Sequence, residues 1–290
     1  MSYSAETLRQ SHQHCREVCR RSQSNFIASF RLLRPEKRRA MYALYAFMRH
    51  TDDLGDNPDP VAKRAEDIQQ WREALDDALR GEVDSERFPI LPAMADTVAR
   101  FSIPPEHLHA VIDGVEQDLR RRRYELYEDL EEYCRLVASA VGLACIHIWG
   151  FRGKEAIPAA VKCGLAMQMT NILRDLAEDA RAERVYLPLM EIAGCGYSVE
   201  EIKDGTVNEA FERLMRMQIE RARRFYDEGL ELLDLLEPDG RRIFGMMMDT
   251  YRQLLEEIAR EPGAVFTRRV RLSRWTKYRI AWRWLVWPRQ

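Results

Sequence analysis

The sequence has no paired cysteine pattern. Its six cysteines, Cys15, Cys19, Cys134, Cys145, Cys163 and Cys195, are scattered, and no charged n-region followed by an apolar stretch opens the chain. Both features point to a reducing, cytoplasmic setting without a disulfide framework. His12, His14, Cys15 and Cys19 gather near the start, but no second ligand pair follows at zinc-finger spacing. Long apolar runs are missing too: the longest, Val137 to Phe151, is interrupted by His147 and is too short to span a bilayer. No Gly-x-Gly-x-x-Gly segment follows a strand, and no Walker loop or nucleophile elbow is present, so nucleotide-binding folds have no support. Charge of one sign is not in excess, with 45 basic against 47 acidic residues. That balance argues against a nucleic-acid partner.

Strand-like alternation is nearly absent as well, and prolines punctuate helical periodicity throughout. The spacing of apolar residues predicts helices over Thr7–Gln23, Glu36–Asp53, Val61–Leu79, Leu91–Phe101, Pro105–Arg123, Leu130–Trp149, Val207–Leu236 and Arg241–Arg260, with Asn57-Pro58-Asp59-Pro60 as a firm stop. No linker divides the chain. The expected class is all-α, a single-domain helical bundle over residues 1–290 with a central cavity.

Two stretches carry the candidate chemistry. In Cys163–Pro188, residues Gln168, Asn171, Arg174, Asp175, Glu178 and Asp179 recur every three or four positions, so one continuous helix would align them in a polar stripe. In Tyr45–Asp56, Asp52 and Asp56 again fall one turn apart. A single such pair is ordinarily a solvated face. Two of them, each beside an arginine (Arg49, Arg174) and behind apolar runs, would set like charges against one another unless cations intervene. Without cations, loss of a carboxylate such as Asp175 should leave the protein no less stable. The opposed stripes offer only oxygen ligands, which suits Mg²⁺ with substrate phosphate oxygens completing its shell. Arg49 and Arg174 could grip the same phosphates by forked hydrogen bonds. Phe26, Phe30, Tyr45, Phe47, Tyr133 and Met169 would line an apolar remainder, so a diphosphate with a long hydrocarbon tail fits. Glu106 and His109 form half of a di-iron motif whose second half is absent.

The segments Tyr42–Asp56 (YALYAFMRHTDDLGD) and Gln168–Pro188 (QMTNILRDLAEDARAERVYLP) resemble the two aspartate-rich motifs of the squalene/phytoene synthase family. DGVEQDL (Asp113–Leu119) and YCRLVASAVG (Tyr133–Gly142) are similar to further family segments, and the likeness runs from about Ser22 to Arg274. It implies an isoprenoid-synthase helical bundle, with Mg²⁺ held by Asp52, Asp56, Asn171, Asp175 and Asp179, and Mn²⁺ able to substitute. Prenyl diphosphate contacts would fall on Arg21, Ser22, Gln23, Ser24, Tyr45, Arg49, Gln168, Arg174 and Tyr251. Tyr133 matches a tyrosine near the reacting carbons. The family pattern is broken at Gln23, where many members carry lysine, and at Arg135, where an aromatic residue or histidine is frequent.

The implied reaction is a prenyltransferase reaction: head-to-head joining of two farnesyl diphosphates to presqualene diphosphate and, with NADPH, squalene. The Ser24–Phe26 segment resembles bacterial enzymes of hopanoid pathways. Two alternatives stand beside it: a phytoene synthase of carotenoid pathways using geranylgeranyl diphosphate, and a non-catalytic helical assembly subunit. Partners would be prenyl diphosphates and downstream isoprenoid enzymes. Residues 265–290 carry eight Arg or Lys, no acid and four of the six tryptophans. A basic, Trp-rich helix there suits peripheral contact with the inner face of a membrane.

Overall fold

The computed structural model describes residues 3–22, 27, 29–120 and 123–286. Among these there is no β-strand, only two isolated bridges, Arg123 with Val185 and Phe151 with Leu236. The all-α expectation holds. The main helices are α1 (Ala5–Arg21), α2 (Pro35–Asp56), α3 (Val61–Arg80), α4 (Leu91–Phe101), α5 (Glu106–Arg120), α6 (Tyr127–Cys134), α7 (Ala140–Trp149), α8 (Ala156–Arg174), α9 (Leu176–Arg181), α10 (Glu209–Gly229), α11 (Pro238–Arg260) and α12 (Arg274–Val286). The chain forms two compact units. The first comprises Met1–Leu119, Ala140–Arg152 and Leu236–Ile243, and the second Arg120–Ser139, Gly153–Leu235 and Phe244–Gln290.

In the first unit, α1 starts on Ser4, whose hydroxyl accepts the Thr7 N–H at 3.0 Å, and α2 starts on a proline at its first position, where no N–H is needed. Ala43, Leu44 and Phe47 of α2 are at most 1% exposed. The far half of α2 is held by Trp71 of α3. The indole stacks on Phe47 at 5.4 Å, meets His50 at 4.3 Å, and donates to the buried Thr51 hydroxyl at 2.9 Å. Phe47 is therefore core packing rather than cavity lining. Near the start of α2, Lys37 donates to the Trp149 carbonyl (2.6 Å), Glu237 (2.7 Å) and Asp239 (3.0 Å), so all three ammonium protons are used. Cys15 and Cys19 are buried against the Ile90 and Tyr42 carbonyls, and burial pushes both thiols up, Cys19 to about 12. Neutral thiols are poor zinc ligands. His109 of the half di-iron motif instead pairs with Asp76 at 3.1 Å.

In the second unit, α8 and α10 pack through small residues. Ala159, Ala160, Cys163 and Ala166 are buried, and Thr170 joins its hydroxyl to Tyr226 at 2.9 Å. The expected Leu130–Trp149 helix is three pieces, α6, a π-helical turn at Arg135–Ser139, and α7. Periodicity cannot reveal a π turn, because one extra residue barely disturbs an apolar run. Gly164 of α8 lies against that turn: a Cβ there would come within 2.5 Å of the Ser139 Cα. The expected Val207–Leu236 helix also breaks, at Gly229, before a single turn at Leu232–Leu235.

Candidate functional site

The first acidic motif occupies the last two turns of α2. Arg49 bonds Asp53 one turn on, at 2.6 Å, and both are about half exposed. Tyr45, one turn earlier, shares a hydrogen bond with Ser22, so two expected substrate contacts meet. Arg21 is exposed at the end of α1, whereas Gln23 and Ser24 lie outside the described residues, as does Phe26. Asp52 is crowded by surrounding protein and by the carboxylates of Asp56, Asp53 and Asp118, against only Arg49. Burial first, then Asp56, push its pKa up to about 6. Water still reaches the carboxylate, so solvent screening damps the effect. Asp118, on α5, was not singled out from the sequence, since its partners lie far away along the chain.

The second motif is arranged differently. Helix α8 ends at Arg174 and α9 begins at Leu176, so the expected continuous stripe is broken at Asp175 (φ −99°, ψ 11°). Aspartate has low helix propensity and suits such a junction. Its carboxylate is not repelled by other acids but held by arginines. Arg174 donates through Nε at 2.8 Å and again through Nη2, and Arg269 sets its Nε 3.2 Å from the carboxylate in an ion pair and donates through Nη2 at 3.3 Å. Arg269 also faces Glu178 at 3.7 Å. Arg174 and Asp175 are only 18% and 17% exposed. These pairs favour the opposite expectation, that losing Asp175 costs stability. Arg269 stands 94 residues from Asp175, beyond any motif spacing.

Asn171 places its amide nitrogen 3.4 Å from Gln168 Oε1, and the Tyr251 hydroxyl is within hydrogen-bonding reach of Asn171 and Arg174. Gln168, Asn171, Arg174, Asp175 and Tyr251 are thus gathered, with Asp179 one turn further. The buried Oδ1 of Asn171 has no hydrogen-bond partner. An unpaired buried oxygen costs stability unless a ligand satisfies it.

Tyr133 stands in a buried aromatic cluster of the same unit, 5.4 Å from Tyr124 and 5.3 Å from Tyr186 between ring centroids. Bonds from the Leu189 and Met190 N–H groups to the Tyr124 and Glu125 carbonyls hold the Tyr-Leu-Pro segment beside the entry to α6. Tyr124 and Tyr186 were missed from the sequence. The only signal available was the Tyr-Leu-Pro run closing the second motif.

A hard divalent cation suits the chemistry of either motif taken by itself. The donors in each are oxygen: in the first unit Asp52 stands among other carboxylates, and in the second Asn171 Oδ1 lacks a partner. Among the described residues no three His, Cys, Asp or Glu side chains gather into a metal-binding group. A cation here would draw on few protein ligands and leave room for ligand oxygens, which is the habit of Mg²⁺.

The squalene/phytoene synthase family model matches residues 19–276. Phytoene synthase of Arthrospira platensis is 34% identical, covering 93% of this chain and 91% of that protein. Chloroplastic phytoene synthase 1 of Arabidopsis thaliana is 36% identical over 92% of this chain, which spans 64% of that protein's length. Among solved structures, squalene synthase HpnC from Alicyclobacillus acidocaldarius superposes with a TM-score of 0.83 at 27% identity, covering 90% of this chain and 97% of that one. A dehydrosqualene synthase in complex with ligand gives 0.86 at 26% identity, with 97% of both chains covered. The chain belongs to the squalene/phytoene synthase family, a family of prenyltransferases.

Proposed function

We propose that the protein joins two farnesyl diphosphates head to head to give presqualene diphosphate, with magnesium held by Asp52 and Asp56 and by Asn171, Asp175 and Asp179. The observation that carries the reading is the clustering of Gln168, Asn171, Arg174, Asp175 and Tyr251 around an unpaired amide oxygen, in a chain that matches the family across residues 19–276. Bound cations would supply charge to stabilise the departing diphosphate. Arg174 and Arg49 grip phosphate oxygens through their forked guanidinium groups, for which each must loosen its present carboxylate bond. One substrate loses diphosphate from C1. The double bond of the other attacks that carbon, and loss of a proton closes the cyclopropane. The buried Tyr124, Tyr133 and Tyr186 rings keep water from the cationic carbon and present π-faces to it. In this reading Tyr133 and the released diphosphate share the departing proton.

A second reading, two geranylgeranyl diphosphates joined to phytoene, is favoured by the curated relatives, which are phytoene synthases. The farnesyl reading is supported by the structural neighbours, a squalene and a dehydrosqualene synthase. Incubating the protein with each diphosphate and Mg²⁺, with and without NADPH, followed by mass spectrometry of dephosphorylated products, separates them. Thirty-carbon products are expected, with squalene only when NADPH is present; dominant phytoene overturns the choice of substrate. Turnover of neither diphosphate would favour the non-catalytic subunit.

A further inference from the structure

Helix α12 is fixed to the second unit by one face. Trp284 is 1% exposed, its indole donates to Asp249 at 2.8 Å, and its ring covers Gly245 so closely that a Cβ there would lie 2.2 Å from it. Ile280, one turn earlier, is buried too. The other side of the helix is apolar and uncovered. Trp275, Tyr278, Trp282 and Leu285 are 84%, 69%, 69% and 48% exposed, and Val286 is 52% exposed. At about 100° per residue these fall in one stripe roughly opposite Ile280 and Trp284. The other large apolar side chains that are exposed among the described residues, Val61, Leu126, Met190 and Val207, are scattered singly along the chain.

The surroundings of the stripe are cationic. No acidic residue occurs between Val265 and Gln290. Arg269 and Arg283 are engaged by Asp175 and Asp249, whereas the exposed Arg271, Arg274 and Arg279 form no ion pair among the described residues. We propose that this face docks on an anionic bilayer surface, with Trp275, Tyr278 and Trp282 at headgroup depth and Arg271, Arg274 and Arg279 against lipid phosphates.

Three observations select lipid as the occupant. Indole and phenol rings, apolar with one polar atom, prefer the boundary between headgroup and acyl chain. A basic polar flank supplies attraction to an anionic leaflet, which adds to the apolar burial. A second copy of the same face would set three cations against three, because a two-fold contact pairs identical surfaces. No helix among the described residues is long and apolar enough to cross a membrane, so the contact would be peripheral. The inference is independent of which diphosphate is used.

The test is flotation of the full chain with vesicles of phosphatidylcholine alone and with about 30 mol % phosphatidylglycerol. The wild type should float with the anionic vesicles and lose most of that binding at high salt. Joint replacement Trp275→Ser, Tyr278→Ser and Trp282→Ser should weaken partitioning at least about tenfold with an unchanged melting temperature, because these side chains touch little of the protein. Joint replacement Arg271→Gln, Arg274→Gln and Arg279→Gln should abolish the preference for anionic over neutral vesicles. In the wild type, brominated acyl chains should quench tryptophan emission, a readout that needs no variant. A wild type that stays off anionic vesicles, an aromatic variant that floats equally well, or unquenched emission on vesicles would each overturn the proposal. So would a vesicle-independent dimer that the aromatic replacements dissolve.

Discussion

The two acidic motifs look alike as sequence and differ as electrostatics. On α2, Asp52 stands among Asp53, Asp56 and Asp118 with one arginine nearby, and its proton is held more tightly than usual. At the junction of α8 and α9, Asp175 is enclosed by two guanidinium groups. The first motif has a deficit of positive charge and the second is already neutralised by side chains. A cation arriving at the first relieves repulsion, whereas at the second it must displace Arg174 or Arg269 from Asp175. A displaced guanidinium is then available to a phosphate. The same residue types thus leave acids without enough positive charge in one place and pair an acid with two arginines in the other.

The strongest way to break that contrast is turnover. Asp52→Asn and Asp175→Asn should each lower kcat by about a thousandfold, as loss of a preorganised electrostatic group does. Full turnover in either variant would remove that motif from the chemistry. Next in size is stability in the presence of chelator. Asp175→Asn leaves Arg174 partly buried without its counter-charge and should cost about 2–3 kcal/mol in urea unfolding, near the lower range for breaking a buried pair. Arg269→Gln, which removes the more exposed partner, should cost about 1 kcal/mol or less. Equal costs would mean that the two arginines hold Asp175 alike.

The smallest effect has the opposite sign. Asp52 has its folded-state pKa raised from 3.8 to about 6. Between those values the folded protein holds a proton that the unfolded chain has released, so wild-type stability declines as pH rises from about 4 through about 6. Asp52→Asn lacks that decline. Its metal-free melting temperature should match the wild type near pH 4 and exceed it above pH 6, by less than about 1 kcal/mol equivalent given solvent screening. A difference that does not grow across this interval would mean that Asp52 is not repelled by its neighbours.

Helix positions were legible in the sequence where apolar periodicity ran uninterrupted: Leu91–Phe101 was placed to the residue and Val61–Leu79 to within one. Motif residues on single helices were legible for the same reason, since Tyr45, Arg49 and Asp52 follow at three or four residues. Features made by tertiary contact were not. Arg269 reaches Asp175 from 94 positions away, Tyr124 and Tyr186 meet Tyr133 through backbone bonds between distant segments, and the break at Asp175 lies inside an unbroken 3.6-residue pattern. The tail shows both sides. Its charge and tryptophans could be counted, but only the packing of Trp284 on Gly245 tells which aromatic rings are left outside.

That packing also constrains the order in which substitutions can accumulate. Gly245 lies in the middle of α11, where glycine costs about 1 kcal/mol relative to alanine, so helix propensity alone would favour replacing it. The Trp284 ring occupies the space a methyl group would need. Alanine at 245 becomes acceptable only after position 284 has shrunk, and tryptophan at 284 only after position 245 has lost its side chain. The costs of changing the two positions should therefore not add, since alanine at 245 clashes with the ring while glycine beside a smaller residue at 284 leaves a gap.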